Sequence, residues 1–570
     1  MSAENIGDFS VTVTNEEVVA ALLPMQAHSL PLSNLDLLLP ALDVGVFFCY
    51  KNPMANSTNN KLTFGSMVGT LKKALAQTLI SYYVLAGEVV LYNMGEPEML
   101  CNNRGVDFVE AVADVELKCL NFYNPDDSIE GKFVPKKNNG VLAVQTTLLK
   151  CNGIVVACTF DHRITDAYST NMFLTSWAEI AHLTKPTTTP CFCRSLVSTN
   201  GTSVIPHSLN DMYVPISKLV PPKTTTTLFL SRIYYVTTKQ LNNMQLQSFI
   251  NGTKRTKLEC FSAFLWKIVA CAASKGNKKG TKIMAKMGIV VDGRKRLCKG
   301  DKKKEEIMRS YFGNVLSIPF GGKLVEELME KPLGFVADAV HEFLEDAMTK
   351  EHFLGLIDWV ESHQPKLGVS RIYCGDNNSN EKGPSFVVSS GQRILEDKMD
   401  FGWGKFVFAS YHFPWGGEAG YVMPMPSPLG NGDWVVYMHL TKEQLEIIES
   451  EATDVFRPIT LDYINNSQSP AVPSHAEKPH DRCFLYARLT TTVHVSSIHC
   501  AKERGRETQT PNGGRDGVNF LTPIGDWGRG IRRVNLPPPY LIAILSKSDK
   551  LLKEVKAIDD LGFLIIGEGE

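Results

Sequence analysis

The chain has 570 residues and a mass of 63.2 kDa, which is too long for one ordinary hydrophobic core and predicts two domains. Its 44% apolar and 21% charged residues are typical of a globular protein, and the formal net charge of −1 argues against nucleic acid or an anionic membrane as partner. No run reaches the roughly 18 apolar residues of a membrane span, and the scattered cysteines form neither a zinc spacing nor a disulfide framework. Because the N-terminus also lacks signal-peptide character, we expect a cytoplasmic protein.

Strands and helices alternate through the first 150 residues. Apolar or alternating runs predict strands, and apolar residues three to four apart predict an amphipathic helix. The predicted elements are strands at 9–13, 44–49, 89–92 and 142–149 and a helix at 64–85. This alternation predicts an α/β layer.

The stretch from Gly153 to His182 places a short polar turn between a strand and a helix. The apolar run 154–158 is typical of a strand buried on both faces, and the apolar residues of 168–180 recur at helical spacing. The turn between them reads Asp161-His162-Arg163-Ile164-Thr165-Asp166, an HxxxD motif. Loops held at the edge of a sheet often carry chemistry, and we expect this one to do so.

The second half begins after a Pro-, Thr- and Ser-rich segment, 185–222, which lacks periodicity and indicates a crossover between domains. Beyond it the predicted elements are strands at 226–236, 284–291, 386–390 and 434–440 and helices at 258–273, 325–360 and 441–455. The basic run 275–304 is consistent with either a solvated surface or an anion-binding rim. In DFGWG, at 400–404, two glycines around Trp403 let the backbone approach a neighbour closely.

HxxxD near one quarter of the chain and DFGWG near three quarters, in this order, resemble the motifs of the plant BAHD acyltransferases. These enzymes transfer acyl groups from coenzyme A (CoA) thioesters to alcohols or amines. Three further stretches agree with the family pattern: LSNLD at 32–36, YVLAG at 83–87 and VDGRKR at 291–296. The likeness covers about 8–466 and is greatest to coniferyl alcohol acyltransferase and hydroxycinnamoyltransferase-like members.

The resemblance implies two similar-sized chloramphenicol-acetyltransferase-like domains, each a mixed α/β (α+β) sheet with helices, and a channel between them. We expect an N-terminal domain at 1–184, a crossover loop at 185–222 and a C-terminal domain at 223–466. The segment 467–570 lies outside the family pattern. Because it is rich in Pro, Gly, Arg and Ser, we expect a largely disordered extension of unknown function.

Acyl transfer needs a base for the acceptor hydroxyl and a donor for the developing oxyanion. His162 is the expected base, because imidazole titrates near neutral pH, and the resemblance suggests the indole of Trp403 as the oxyanion donor. Asp166, at a helix start, is expected to cap the helix and, as the family implies, to pair with Arg294. It is therefore not expected to act as the third member of a catalytic triad.

The remaining candidates surround this centre. Asp400 and Gly402 are expected to be architectural. Thr256, Lys257 and Lys254, at a predicted helix start, are candidates for binding the phosphates of CoA. At two positions beside the HxxxD motif the chain departs from the family pattern, which usually has His and Gly where this chain has Asp161 and Ala167.

The predicted function is transfer of an acyl group from acyl-CoA to the hydroxyl of a coniferyl-alcohol-like phenylpropanoid, by direct attack in a ternary complex. Acetyl-CoA or hydroxycinnamoyl-CoA is the expected co-substrate, with no metal and no permanently bound cofactor, in a monomer. One alternative is hydroxycinnamoyl transfer to shikimate, quinate or an amine. A catalytically silent binding protein on the same fold and a metal hydrolase using His162 and Asp166 are alternatives of other classes.

Overall fold

The computed structural model describes residues 9–53, 62–91, 96–198, 201, 205–219, 228–250, 252–275, 282–364, 367–374, 383–389, 398–415 and 417–465. The chain divides into two units, 1–469 and 470–570, and every described residue belongs to the first. The predicted extension at 467–570 therefore lies outside the described residues.

The described residues form strands and helices in the following order. The strands are β1 (Val11–Val19), β2 (His28–Pro31), β3 (Asp43–Tyr50), β4 (Glu88–Leu91), β5 (Pro97–Cys101), β6 (Val106–Ala113), β7 (Leu142–Leu149), β8 (Ile154–Asp161), β9 (Tyr213–Pro215), β10 (Phe229–Val236), β11 (Met284–Ile289), β12 (Val291–Asp292), β13 (Leu316–Ser317), β14 (Phe320–Leu324), β15 (Gly368–Ser370), β16 (Ser385–Val388), β17 (Phe408–His412), β18 (Gly420–Pro426), β19 (Trp434–Thr441) and β20 (Arg457–Pro458). The helices are α1 (Phe64–Ser81), α2 (Pro125–Ser128), α3 (Ala167–Ala181), α4 (Ser208–Met212), α5 (Thr238–Gln247), α6 (Lys257–Lys275), α7 (Arg294–Leu297), α8 (Lys302–Met308), α9 (Val325–Glu330), α10 (Leu333–Ala347), α11 (Lys350–Glu361), α12 (Lys442–Glu451) and α13 (Leu461–Asn465).

A six-stranded sheet in the order β1-β6-β7-β8-β3-β17 carries the HxxxD turn at the end of β8. Only β6 and β7 run parallel; the other neighbours are antiparallel. Every residue of β8 is buried, as its continuous apolar run predicts. The helices α1 and α3 pack together, and the indole of Trp177 on α3 donates to the carbonyl of Leu71 on α1 at 3.0 Å.

A seven-stranded mixed sheet in the order β14-β11-β16-β18-β19-β10-β20 forms the second half. Its long helix α6 packs against α5, α9, α10 and α12, and the buried residues here form a second hydrophobic cluster. The prediction of mixed sheets with helices is confirmed. Three smaller sheets pair β12 with β13, β15 with β9, and β2, β5 and β4 with one another.

Strand β17 connects the two halves of the protein. It follows DFGWG in the chain, yet it pairs antiparallel with β3, so that Phe408 faces Cys49 and His412 faces Gly45. The first sheet is thus completed by a strand from the second half. The domain boundaries at 184 and 222 stay a prediction.

Several predicted elements differ from those observed. The helix predicted over 64–85 ends at Ser81, because Tyr82 leaves the helical region (φ −99°, ψ 42°) and a short 3-10 turn follows. The helices predicted over 325–360 number three, and they are separated at Pro332 and Thr349. Strand β6 was not predicted, although its buried positions partly alternate. Within the described residues, no helix is long and apolar enough to cross a membrane.

Candidate active site

The HxxxD turn is held between β8 and α3 by backbone and side-chain hydrogen bonds. The backbone N–H of His162 donates to the carbonyl of Leu42 at 2.8 Å. Asp166 caps α3, where its carboxylate accepts from the backbone N–H of Ser169 at 3.0 Å. An N-cap carboxylate satisfies a free amide and favours the positive end of the helix dipole, so Asp166 fixes where the turn ends.

Asp166 is paired with Arg294, which lies 128 residues further along the chain. The two guanidinium nitrogens contact its two oxygens at 2.8 and 3.1 Å, and Val315 N donates to it at 3.2 Å. Burial raises the pKa of Asp166, but Arg294 and the backbone donors outweigh burial and lower it below its usual range. Asp166 is thus a buried, ionised carboxylate whose oxygens are both engaged.

This arrangement bears on two alternative roles of Asp166. Neither ring nitrogen of His162 has a hydrogen bond to Asp166, and Nδ1 is buried without a partner among the described residues. A triad carboxylate would have to accept from the histidine ring. Both oxygens of Asp166 are already bound by Arg294 and by backbone amides, and the described part of the chain contains no group of three or more potential metal ligands.

A second buried carboxylate, Asp36 of LSNLD, supports the turn from the other side. Asn314 donates to Asp36 Oδ1 from its backbone N at 2.8 Å and from Nδ2 at 2.9 Å. The same Nδ2 lies 3.0 Å from the carbonyl oxygens of His162 and Arg163. Asp36 and Asn314 are both fully buried. Asn314 was not among the predicted site residues. The signal that could have pointed to it is the stretch Tyr311-Phe312-Gly313-Asn314, which follows the basic run.

A cavity of about 500 Å³ opens between the two sheets and is lined by His162, Asp166 and Arg294. Its walls come from both sheets, for example from Val46 on β3 and Met423 on β18. Aromatic side chains cover one part of it. We call these the aromatic patch: Tyr373, Tyr411, Phe413, Trp415 and Tyr421.

The aromatic patch reaches the histidine through Phe413. The ring centroids of His162 and Phe413 are 6.4 Å apart in an edge-on arrangement. Phe413 in turn contacts Tyr421 at 5.0 Å and stacks on Trp415 at 6.4 Å. The histidine therefore borders a surface suited to an aromatic ligand.

Asp161, which departs from the family pattern, turns away from the cavity. Its carboxylate accepts from Nε and an Nη of Arg163 at 2.9 and 2.6 Å, and Lys137 lies 3.8 Å away. Neither Asp161 nor Arg163 lines the cavity, whereas Ala167 does. Of the two departures, only Ala167 can touch a ligand there.

The structure does not bring Trp403, the predicted oxyanion donor, together with His162 in the cavity. Trp403 packs on Tyr50 at the far end of β3, with ring centroids 6.1 Å apart, and does not line the cavity. The near end of β3, Asp43, pairs with Asp161 beside the histidine. Seven residues of strand rise separate the ends, which puts Trp403 on the order of 20 Å from His162.

The DFGWG loop itself is a tight backbone turn. One oxygen of Asp400 accepts from the backbone N–H groups of Gly402, Trp403 and Gly404 at 2.8 to 3.0 Å. Gly402 and Gly404 have φ values of +101° and +106°, which residues with a Cβ rarely adopt. This geometry is what an architectural role of Asp400 and Gly402 requires.

Of the three residues predicted to bind CoA, one lines the cavity and two do not. Thr256 lines it, but neither Lys254 nor Lys257 does. The hydroxyl and backbone N–H of Thr256 donate to Glu259 at 2.6 and 2.7 Å. Burial raises the pKa of Glu259, but hydrogen bonds from Thr256 and His341 outweigh it and lower the pKa below its usual range. The Thr256 hydroxyl also accepts from the backbone N–H of Glu259 at 3.2 Å, so Thr256 and Glu259 satisfy each other at the start of α6, and binding of the CoA phosphates by the lysines stays a prediction.

Two mixed sheets, a cavity between them and a histidine turn braced by a buried Asp–Arg pair define a two-domain acyltransferase of the chloramphenicol-acetyltransferase-like class. The chain belongs to the Transferase family, the BAHD acyltransferases, whose family model matches residues 9–455. It is an acyl-CoA-dependent acyltransferase. The family resemblance drawn from the motifs is confirmed.

Relatives and solved structures agree with this assignment. Shikimate O-hydroxycinnamoyltransferase of Nicotiana tabacum is 25% identical over 439 residues, covering 73% of this chain and 93% of the relative. Anthranilate N-benzoyltransferase protein 1 of Dianthus caryophyllus is 30% identical over 422 residues, covering 70% and 90%.

Among solved structures, vinorine synthase has a TM-score of 0.56 at 19% identity, covering 79% of this chain and 99% of its own. F. graminearum TRI101 in complex with coenzyme A and deoxynivalenol has a TM-score of 0.60 at 14% identity, covering 75% and 99%. At these identities the likeness shows the fold, and it confirms the predicted fold class.

Proposed function

We propose that this acyltransferase moves an acyl group from acyl-CoA to the hydroxyl of a coniferyl-alcohol-like phenylpropanoid, with His162 as the general base. The observation that carries the proposal is a single cavity that brings His162 together with the aromatic patch. A planar phenylpropanoid can lie on these rings while its side-chain hydroxyl points to the imidazole.

The reaction proceeds by direct attack. The acceptor oxygen bonds to the thioester carbonyl carbon as Nε2 of His162 takes the hydroxyl proton, while Nδ1 holds the hydrogen of the neutral ring. The tetrahedral adduct then breaks its carbon–sulfur bond. The imidazolium returns the proton to the departing thiolate, which leaves an ester and free CoA. No covalent acyl-enzyme forms.

Acyl-CoA is placed with its phosphates toward the start of α6, where Lys254 and Lys257 supply positive charge. Thr256 lines the cavity at this point and marks where the pantetheine arm would enter. CoA in the complex of TRI101 supports a CoA co-substrate in this fold. We take acetyl-CoA or hydroxycinnamoyl-CoA as the donor.

Charge separates this acceptor from its main rival. A shikimate or quinate carboxylate needs a cation in the pocket, and two arginines line the cavity. Arg294 is neutralised by Asp166, and Arg296 donates to the backbone carbonyl of Asp292. The aromatic patch instead matches an uncharged aromatic alcohol. The names of two relatives include shikimate and anthranilate as acceptors. Acidic and amine acceptors are therefore the alternatives to test.

The test is release of free CoA, measured over a panel of acyl-CoAs with coniferyl alcohol, shikimate, quinate and an aromatic amine. His162→Ala should abolish turnover, and His182→Ala, an exposed histidine near Asp400, should not. Highest kcat/KM with coniferyl alcohol supports the proposal. Preference for shikimate, quinate or the amine would replace the acceptor, and no turnover of any pair by the wild type would favour a silent binding protein.

The proposal includes a monomeric, cytoplasmic enzyme that has no resident cofactor. His162 and the cavity that it lines both belong to a single chain, which supports action as a monomer. Size-exclusion chromatography with light scattering, followed by activity assays of the fractions, would test the monomeric state. Activity found only in an oligomeric fraction would contradict it.

A further inference from the structure

The hydroxyl of Tyr411 lies in the cavity wall and is the basis of a second proposal. Tyr411 is 2% exposed, and its hydroxyl oxygen is buried without a hydrogen-bond partner among the described residues. It sits on β17 opposite Val46, which also lines the cavity. Phe413 is two residues further along, and in an extended chain positions two apart share one face. Tyr411 therefore faces the same cavity as the ring that touches His162.

Other buried tyrosines of the protein are satisfied. Tyr50 donates to the carbonyl of Met399 at 2.9 Å, and the hydroxyl of Tyr437 accepts from the backbone N–H of Phe413 at 3.0 Å. A buried hydroxyl without a partner has lost its hydrogen bonds to water without replacing them, so such groups are normally paired. Tyr411 is the member of the aromatic patch whose hydroxyl is both buried and unpaired in the described structure, which suggests that a ligand completes it.

The hydroxyl of Tyr411 is a donor under ordinary conditions. Burial, followed by the nearby Tyr421 and Asp166, raises the pKa of Tyr411 well above its usual range, so the proton stays on the oxygen. Asp166 does not take this proton, since its oxygens are bound by Arg294 and by backbone amides. Because the charges of Asp166 and Arg294 cancel, the surroundings suit an uncharged acceptor atom better than a carboxylate.

We propose that Tyr411 determines acceptor specificity by donating a hydrogen bond to an uncharged oxygen substituent on the aromatic ring of the alcohol. This rests on the proposed function. An aromatic alcohol lying on the aromatic patch with its hydroxyl at His162 extends its ring along the face that Phe413 and Tyr411 share. A phenol or methoxy oxygen on that ring meets the Tyr411 hydroxyl, whereas an unsubstituted ring leaves it unpaired.

The test compares Tyr411→Phe with the wild type on two acceptors, coniferyl alcohol and cinnamyl alcohol, which lacks the ring oxygens. The variant should lower kcat/KM for coniferyl alcohol about tenfold and leave cinnamyl alcohol and the KM for acyl-CoA unchanged. Equal losses on both alcohols, or a change in the KM for acyl-CoA alone, would overturn the proposal. Tyr50→Phe is the matched control, expected to lower the melting temperature without changing the ratio of the two alcohols.

A second measurement does not depend on turnover. In the ligand-free protein, Tyr411→Phe replaces an unpaired buried hydroxyl by hydrogen and should keep or raise the melting temperature. Coniferyl alcohol should then raise the melting temperature of the wild type more than that of the variant. A ligand-free variant that melts several degrees lower would show that the hydroxyl is already satisfied and would overturn the proposal. If coniferyl alcohol raises the melting temperature as expected but no CoA is released with any substrate pair, the proposed function is wrong and the hydrogen bond from Tyr411 to the ligand is still supported.

Discussion

Asn314 and Asp36 are 278 residues apart, and two nitrogens of Asn314 donate to a single carboxylate oxygen of Asp36, at 2.8 and 2.9 Å. Through the same amide group, Asn314 contacts the carbonyl oxygen of His162. A charged acceptor makes these bonds strong, and burial keeps water from competing for them. The backbone of the HxxxD turn is thus anchored to LSNLD near the start of the chain.

Asn314→Ala should therefore impair both folding and catalysis. It leaves Asp36 with fewer donors and frees the carbonyl of His162, so we expect about 2–3 kcal/mol less free energy of unfolding. We also expect kcat to fall at least tenfold, with the KM values little changed. Asn34→Ala, which removes hydrogen bonds to Ile357 and Glu361 away from the site, is the control. Urea unfolding measures the stability of each variant, and initial rates measure its kcat. A loss of stability with a normal kcat would show that Asn314 supports folding but not catalysis.

Asp166→Asn should lose folded protein as well as rate. It leaves the buried Arg294 with the longer contact to Asp292 at 3.4 Å in place of its paired carboxylate, and breaking a buried ion pair costs about 3–5 kcal/mol. Asp107→Asn, at the half-exposed pair with Arg104, should cost no more than about 1 kcal/mol. Denaturant unfolding measures both. Full stability with a pure rate loss in Asp166→Asn would return the carboxylate to a catalytic role.

His352 should make stability depend on pH in a defined window. It is buried against the hydroxyl of Ser317 at 2.8 Å, and burial lowers its pKa to about 4. As pH falls below about 6.5, the unfolded chain binds a proton that the folded chain refuses, so stability is lost from there down to the folded pKa. This contribution is about 2 kcal/mol between pH 7 and 5.

His352→Gln, which cannot be protonated, should remove that part of the pH dependence when urea unfolding is repeated at pH 7 and 5. Identical pH profiles for variant and wild type would contradict the assignment. The lowered pKa of Asp166 acts in a different window. Its stabilisation is present above the unfolded pKa of about 3.9 and is lost as pH falls through the folded value.

Trp403→Phe should leave kcat within about twofold of the wild type, because a phenyl ring keeps the packing on Tyr50 and the indole is too far from His162 to contact the reacting atoms. Trp403→Ala should instead destabilise the fold by about 3–5 kcal/mol. Initial rates measure the effect of each variant on kcat, and thermal melting measures its effect on stability. A hundredfold lower kcat in a stable Trp403→Phe enzyme would restore a catalytic function for the indole.

Lys257→Ala should raise the KM for acyl-CoA several-fold with kcat unchanged, because a phosphate at the start of α6 loses its counter-charge. The effect should shrink with added salt, as expected for a partly exposed charge. Lys302→Ala, on the exposed start of α8, serves as the matched control. Titration calorimetry with CoA at two salt concentrations measures the affinity of each variant. Equal CoA affinities for the two variants would show that the phosphates do not bind at the start of α6.

Local patterns account for the parts of the fold that sequence alone could predict. The apolar run of β8 and the helical spacing of α3 are properties of adjacent residues, so the place of the HxxxD turn follows from them. The partners of that turn do not, because Asn314 and Asp36 meet only after the chain has folded. The DFGWG motif was recognisable, but its letters carry no information on where the indole of Trp403 lies. Whether Tyr411 has a partner is likewise a property of the folded cavity.

The pairing of β17 with β3 has a consequence for how the protein is made. When a growing chain has passed the predicted crossover at 185–222, β3 still has a free edge that carries Val46, Phe47 and Phe48, all buried in the finished protein. An open apolar edge invites pairing with other chains until residue 412 has been synthesised. An N-terminal fragment ending in the crossover should therefore aggregate, and a soluble split enzyme would need a copy of β17 joined to that fragment.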